Sequence, residues 1–398
     1  MEQRSQSHFG SAVYATNVMH SQHVISALES RFNTVDLLRP IAVPTWISTS
    51  PVLPGTLRDL AQKRTQPAVG RGTKTHFLGM QQFAHPIANR LPSASRWVPD
   101  PRSTTELSAT KVAKYAAKTD YFQFVEGLGH KTLIARRRSS QIAVMERRNL
   151  HHRVFENPRP VFAGFPVEPY LDPIRDMLDI EYAEADIVVT YSEVARVSIA
   201  EAIRQPHKVV TIPLPVCVPA RASVTHVDPH RLLFVGRVNV DKGADVLLAA
   251  LRLLPRQYTL TVAGPATTVV RELLVREPRV NYVGLASRDR LNALYSTHSI
   301  FVMPSVESFG LAIIEAASYG MHLVVASTSG VADRIDPRLR STIARMDPHH
   351  LADVIVSQQE ACSENKHISG RTALDGLMTW ASVDNIEKQY DALLCNGI

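Results

Sequence analysis

Cysteine is scarce. The 398 residues hold three, Cys217, Cys362 and Cys395, far apart and odd in number. That argues against a disulfide framework or a clustered zinc site and favours a reducing compartment. The opening MEQRSQSH is polar and no apolar stretch follows it, so a secretory signal is not expected. No run approaches the roughly 18 uninterrupted apolar residues of a membrane span. Zinc-finger spacing, an RNP-like aromatic motif and a basic region with heptads are all missing, so nucleic acid is not expected as a partner. There is no internal repeat and no low-complexity tract. What is present is ordinary globular composition, 45% hydrophobic and 20% charged. At about 100–200 residues per domain, the length implies two domains.

Charge divides the chain. Residues 1–160 carry 22 basic against 10 acidic side chains, and the remainder 22 against 27. The densest basic stretch runs from Lys131 through Arg136, Arg137, Arg138, Arg147 and Arg148 to Arg153. Such a surface concentrates anions, anionic lipid or phosphorylated substrate among them, though solvated charge alone would also keep a protein soluble.

The second half alternates short apolar runs with helical spacing. Strands are expected over 231–238, 258–264, 280–284, 299–305 and 322–327, and helices over 244–254, 267–277, 287–298 and 310–320. Ser287 is the expected N-cap of the third helix. Pro255 and Pro278 close the first two. This is βαβ repetition around a parallel sheet. The first half is less regular. It reads as a helix over 24–32, a strand and its exit from Asn33 to Val43, then loops and broken helices through 44–110, rich in Pro, Ser, Thr and Gly. Beyond that, strands are expected over 121–127, 141–147, 186–192 and 208–214, with helices over 130–138, 173–185 and 193–203. The Pro-rich 212–220 reads as a linker. The fold class is therefore α/β, two Rossmann-like doubly wound domains facing each other across a cleft. The expected division is 1–220, 221–380 and a terminal segment 381–398.

Chemistry gathers at strand exits of the second half. Gly236-Arg237 ends its first strand and Asp241-Lys242-Gly243 opens the next helix. Glu307-Ser308-Phe309-Gly310-Leu311 joins the fourth strand to a helix that contains Glu315. The first amides of that helix have no internal partner and its dipole is positive there, so an anion can approach through Gly310. Arg237 offers a fork of donors for phosphate oxygens and Lys242 a point charge. Carboxylates beside a diphosphate make sense where they bind uncharged hydroxyls, which fits Glu307 and Glu315. Together these residues describe a nucleotide-diphosphate sugar site.

The segments FVGRVNVDKGADVLLAAL, LTVAG, VNYVGLAS, LNALY, FVMPSVESFGLAIIEAASYG and VVAS resemble the donor domain of retaining glycosyltransferases of the GT-B fold, family 4. Two glutamates with seven residues between, Glu307 and Glu315, are similar to that family's signature. The resemblance implies that Arg237 and Lys242 hold the donor diphosphate, helped by the backbone amides of Gly310 and Leu311, with Gly236, Gly264, Ser308 and Phe309 also in the donor site. It implies that Glu307 meets the sugar, Glu315 the ribose, and Val283 to Leu285 the base. For the catalytic-side histidine of some family members the resemblance offers His151 and His152 as counterparts, His151 being taken as the site residue. No metal and no separate cofactor are implied, and no Asp-x-Asp run is present. The donor would be a UDP- or GDP-linked sugar, the acceptor a glycan or a lipid-phosphate-linked molecule in polysaccharide or glycolipid synthesis. The expected place is the cytoplasm, peripheral on an anionic membrane. The family's helix crossing back to the first domain has its echo in WASVDNIEKQYDALL (380–394). The family's glycine-rich loop has a poor counterpart, HFGSAVYATNVMHSQH, with Gly10 alone. Two other readings stand beside transfer: a nucleotide-sugar epimerase, and a catalytically silent sugar-nucleotide-binding relative.

Overall fold

The computed structural model describes residues 9–16, 22–39, 69–70, 72–78, 100–136, 140–156, 160–167, 174–216, 228–343, 347–364 and 370–396. Two parallel sheets organise them. The first is built from β1 (Phe9–Ala15), β2 (Phe32–Arg39), β3 (Thr73–Phe77), β4 (Tyr121–Val125), β5 (Ile142–Arg147), β6 (Ile187–Thr190) and β7 (Val209–Thr211), in the order β3-β2-β1-β4-β5-β6-β7. The second is built from β8 (Arg231–Val235), β9 (Thr259–Ala263), β10 (Val280–Gly284), β11 (Ile300–Met303), β12 (His322–Ala326) and β13 (Arg340–Ile343), in the order β10-β9-β8-β11-β12-β13. Each sheet runs outward for three strands, returns, and runs the other way. The turning points lie between β1 and β4 and between β8 and β11, and such points leave a crevice at the carboxyl ends of the strands.

Helices cover both faces. The first sheet carries α1 (Gln22–Glu29), α2 (Pro101–Ala116), α3 (His130–Ile134), α4 (Arg175–Glu184) and α5 (Glu193–Ile203). The second carries α6 (Ala244–Leu253), α7 (Thr268–Arg276), α8 (Arg288–Thr297), α9 (Leu311–Ser318), α10 (Pro348–Glu364) and α11 (Gly370–Trp380), and α12 (Val383–Asn396) ends the chain. Central strands such as β4, β11 and β12 are buried along their whole length, as a sheet covered on both faces requires. Ser287 caps α8 through the amide of Arg290, as its position predicts.

The second half follows its expected elements to within a few residues at each end. The first half departs more. The expected loop region 44–110 contains β3 and the first ten residues of the 16-residue α2, while 40–68, 71 and 79–99 lie outside the described residues. Asp100 accepts from the amide of Ser103 and Pro101 takes the first helical turn, a strong start signal. Gly10 is not in a loop after the first strand. It lies inside β1, at the amino end, where a Cβ would overlap the Asp120 carboxylate that accepts from Ser11 N at 2.9 Å. It therefore serves strand packing and stands away from the carboxyl ends where ligands bind.

The two sheets are joined at several points. Ile212 belongs to the first core, while Leu214 and Val216 pack on the second, so the expected linker crosses there; Cys217 to Ala220 lie outside the described residues. Val216 N donates to Ala381 O at 3.0 Å. Ile386, Tyr390 and Leu394 of α12 pack with Val24, Ile25 and Leu28 of α1. Burying each such side chain is worth about 1.5–3 kcal/mol, so the terminal helix is firmly held on the first sheet.

Candidate functional site

Glycines press the exits of β8, β9 and β10 together. Gly236 N donates to Ala263 O at 3.0 Å and Gly264 N to Gly284 O at 2.8 Å. Gly264 has φ 148°, and a Cβ there would overlap the carbonyl oxygen of Gly236. Only glycine permits that approach. Arg237 follows at once and is exposed, between half-buried Gly236 and buried Val238.

The Lys242 loop rests on the exit of β11. Asn239 Oδ1 accepts from Lys242 N at 3.2 Å, and Gly243 turns left-handed at φ 65°. A Cβ on Gly243 would overlap the Pro304 carbonyl, so the loop lies directly against the strand that leads to Glu307. Lys242 Nζ ion-pairs with Glu307 Oε1. Glu307 also accepts from Ser305 Oγ at 3.3 Å, and its carbonyl accepts from Gly330 N at 2.8 Å. Its side chain is 14% exposed. Lys242 and Glu307, 65 positions apart in sequence, thus meet at one place.

Next comes the start of α9. Gly310, at φ 96°, begins it with no side-chain cap. Ser308 is buried and its Oγ has no hydrogen-bond partner among the described residues. Phe309 is buried with its ring 6.3 Å from Trp380, while Leu311 is exposed. Glu315 has partners of its own: Arg288 Nη1 donates to Oε1 at 2.5 Å and Tyr295 Oη to Oε2 at 2.9 Å. A half-buried carboxylate needs such partners, and here the protein supplies them. Val283 packs against the second core and Leu285 is exposed.

His151 belongs to the first sheet. It follows β5, is buried, and its partners among the described residues all belong to the first sheet's helices and loops. Its ring stacks on Tyr182 at 4.8 Å and its Nδ1 accepts from Arg153 N at 3.3 Å. Burial, then the neighbouring charges of His152, Arg147 and Arg153, pushes its pKa down to about 3. It is neutral at ordinary pH. His151, His152 and Asp179 bring possible metal-ligand atoms within 4.8 Å of one another. Arg147, Arg153 and Arg175 bear on the two histidines, while Asp179 and Glu156 act in the opposite direction on His152.

Part of the basic stretch is paired within the protein. Lys131 pairs with Glu106 at 2.6 Å, Arg136 with Asp186 at 2.8 Å, and Arg148 with Glu126 at 2.9 Å. Arg147 is buried on the Leu150 carbonyl. Arg137 and Arg138 lie outside the described residues.

Sequence reading missed the residues that position the pair of glutamates. Ser305, Ser329 and Gly330 fix Glu307, and Arg288 and Tyr295 fix Glu315. Arg288 had one signal, the first helical position after an N-cap serine. The Ser329–Gly330 turn had none, because its contact with Glu307 is a single bridge between distant loops.

Two doubly wound parallel domains with a cation–carboxylate pair at the second turning point define a GT-B fold. The comparisons agree. Residues 229–359 match the family model described as Glycosyl transferases group 1. Sulfoquinovosyl transferase SQD2 of Arabidopsis thaliana is 30% identical over 119 residues, 29% of this chain and 23% of that protein. The chain spans less than half the length of the first curated relatives it matches, between 23% and 40%. Among solved structures, sucrose-phosphate synthase of Thermosynechococcus elongatus aligns over 97% of this chain and 98% of its own, with TM-score 0.66 and 17% identity. HepE of Anabaena, in complex with UDP and glucose, aligns over 96% and 99%, with TM-score 0.60 and 15% identity.

Proposed function

We propose that the protein is a retaining, metal-independent glycosyltransferase that moves a sugar from a UDP- or GDP-linked donor to a glycan or lipid-phosphate-linked acceptor. The observation that carries this reading is the Lys242–Glu307 pair beside the uncapped start of α9. A diphosphate arriving there would take Lys242 and Arg237 as counter-charges and the α9 amides as donors. Glu307, released from Lys242, would accept from sugar hydroxyls. The two cations would stabilise charge as the nucleotide leaves, the task a metal performs elsewhere. Retention would follow front-face attack, with a donor phosphate oxygen taking the acceptor's proton. Glu315 would keep Arg288 and Tyr295 and use its remaining lone pairs for the ribose. His151, being neutral and buried, would support the acceptor side. The chain would work in polysaccharide or glycolipid synthesis, in the cytoplasm and against an anionic membrane. No helix among the described residues is long and apolar enough to cross one.

The epimerase reading is not favoured, because an acid–base pair around a sugar ring does not emerge among the described second-domain residues. The test is incubation with UDP- and GDP-linked sugars while nucleotide diphosphate release is followed. Release that requires an added acceptor supports transfer. Conversion of the donor without release would establish epimerisation, and binding with neither would leave a silent relative.

A further inference from the structure

A short segment from the first half of the chain is embedded in the second core. Residues 160–167 lie in sequence between β5 and α4, both elements of the first sheet. Yet Phe162 and Phe165 are buried in the cluster formed by β8, β9 and α6, where they join Leu232, Phe234, Val238, Ala244 and Val246. Val161 N donates to Asp245 Oδ2 at 2.7 Å. The Arg252 guanidinium lies 4.4 Å over the Phe162 ring and is itself held by Glu277 at 3.1 Å. The segment is a strap, closed by a cation over one aromatic ring and a charge-assisted hydrogen bond.

Its point of attachment is informative. Val238 and Ala244 flank the loop 239–243 that carries Lys242, and both pack in the cluster that holds the strap's aromatic rings. Asp245 is the second residue of α6, two positions beyond Gly243. It is 1% exposed and its other oxygen, Oδ1, has no hydrogen-bond partner among the described residues. A carboxylate so deeply buried, with one oxygen unpartnered, is costly. Its remaining support is the helix N-terminus on which it sits. An acid in the first helical turn is favoured in its own right, and the bond from Val161 N makes this acid the anchor of the strap as well.

We infer that Asp245 and Phe162 are positioning residues: the strap clamps the start of α6 and thereby holds Lys242 in register with Glu307 and the diphosphate. This rests on the donor-site reading for its functional consequence, while the clamp itself does not.

The experiment separates the two. Hydrogen exchange over residues 238–248 and the affinities for UDP and for GDP, each alone, are measured in the parent and its variants. Asp245→Ala should speed exchange in 238–248, leave 300–318 unchanged, and weaken the nucleotide that binds by about tenfold, the scale of a lost charge-assisted bond. Asp245→Asn keeps an acceptor for Val161 N and should restore both. Phe162→Leu should act in the same direction if Asp245→Ala does not fold. In a Lys242→Ala background, Asp245→Ala should weaken binding no further, because its effect runs through Lys242. Unchanged exchange in 238–248, or losses that multiply in the double variant, would overturn the clamp. If neither nucleotide binds the parent, the donor-site reading fails, and the exchange measurement alone decides the clamp.

Discussion

The two sheets solve the same local problem in opposite ways. In each, the first strand after the turning point leads through a glycine-bearing turn into a helix: β4 through Gly127 and Gly129 into α3, and β11 through Ser308 and Gly310 into α9. Helix starts of this kind present unpartnered amides and positive potential. In the first sheet the protein fills the place itself. Buried Glu181 accepts from Gly127 N at 2.7 Å, Gly129 N at 2.7 Å and His130 N at 3.1 Å. In the second, α9 has no side-chain cap, and Lys242 and Glu307 stand at its entrance. One anion slot is closed by an internal carboxylate and the other is left open beside a cation. The difference gives the first a structural role, and the proposed donor site rests on the second being uncapped.

The largest expected effect tests the closed slot. Glu181→Ala leaves three buried amides without an acceptor, and thermal or denaturant unfolding should show a loss of about 3 kcal/mol or more. Glu181→Gln retains an acceptor oxygen and should lose less. Equal stability of Glu181→Ala and the parent would end the comparison. The open slot should respond in function instead. Lys242→Ala should slow sugar transfer about a hundredfold, by analogy with lost transition-state donors, while stability changes by less than about 1 kcal/mol, as for a partly exposed ion pair. A variant that transfers at the parental rate would remove Lys242 from the site.

How much of this was legible in the residues differs between the halves for physical reasons. The second sheet's helices bury aliphatic stripes, such as Val246, Leu247, Leu248 and Leu251 in α6, so their periodicity is plain. Helix α2 buries Thr104, Ser108, Ala109, Val112 and Ala116. The spacing is helical, but the stripe is small and half polar, and Ser108 Oγ satisfies itself on the Thr104 carbonyl at 2.9 Å. Strand β3 is a short edge strand with no buried residue, so it carries no hydrophobic signal. At the candidate site, local signals singled out Arg237, Lys242, Gly310 and both glutamates. What they could not reveal was pairing across loops: Lys242 with Glu307, Arg288 with Glu315, Val161 with Asp245. Charge pairing was hidden in a similar way, because sequence counts charges while the fold pairs some of them, as with Arg148 and Glu126.

The smallest expected effect asks whether the poorly legible half is also the weaker half. Helices α2 and α8 begin alike: Asp100 Oδ1 accepts from Ser103 N at 3.0 Å, and Ser287 Oγ from Arg290 N at 3.3 Å. Only the second was recognised from sequence, where Ser287 opens a run with Leu291, Leu294 and Tyr295 at helical spacing. If legibility reflects side-chain type and not local stability, Asp100→Ala and Ser287→Ala should each lower the melting temperature slightly and to a similar extent, as lost N-caps do. Hydrogen exchange should then show fraying confined to the first turn of the helix concerned. A loss at Asp100 that spreads through β4 and α3 would instead mean that the first domain depends on this single cap. Its irregular sequence would then report weaker local order, and not merely a different alphabet of small and polar contacts.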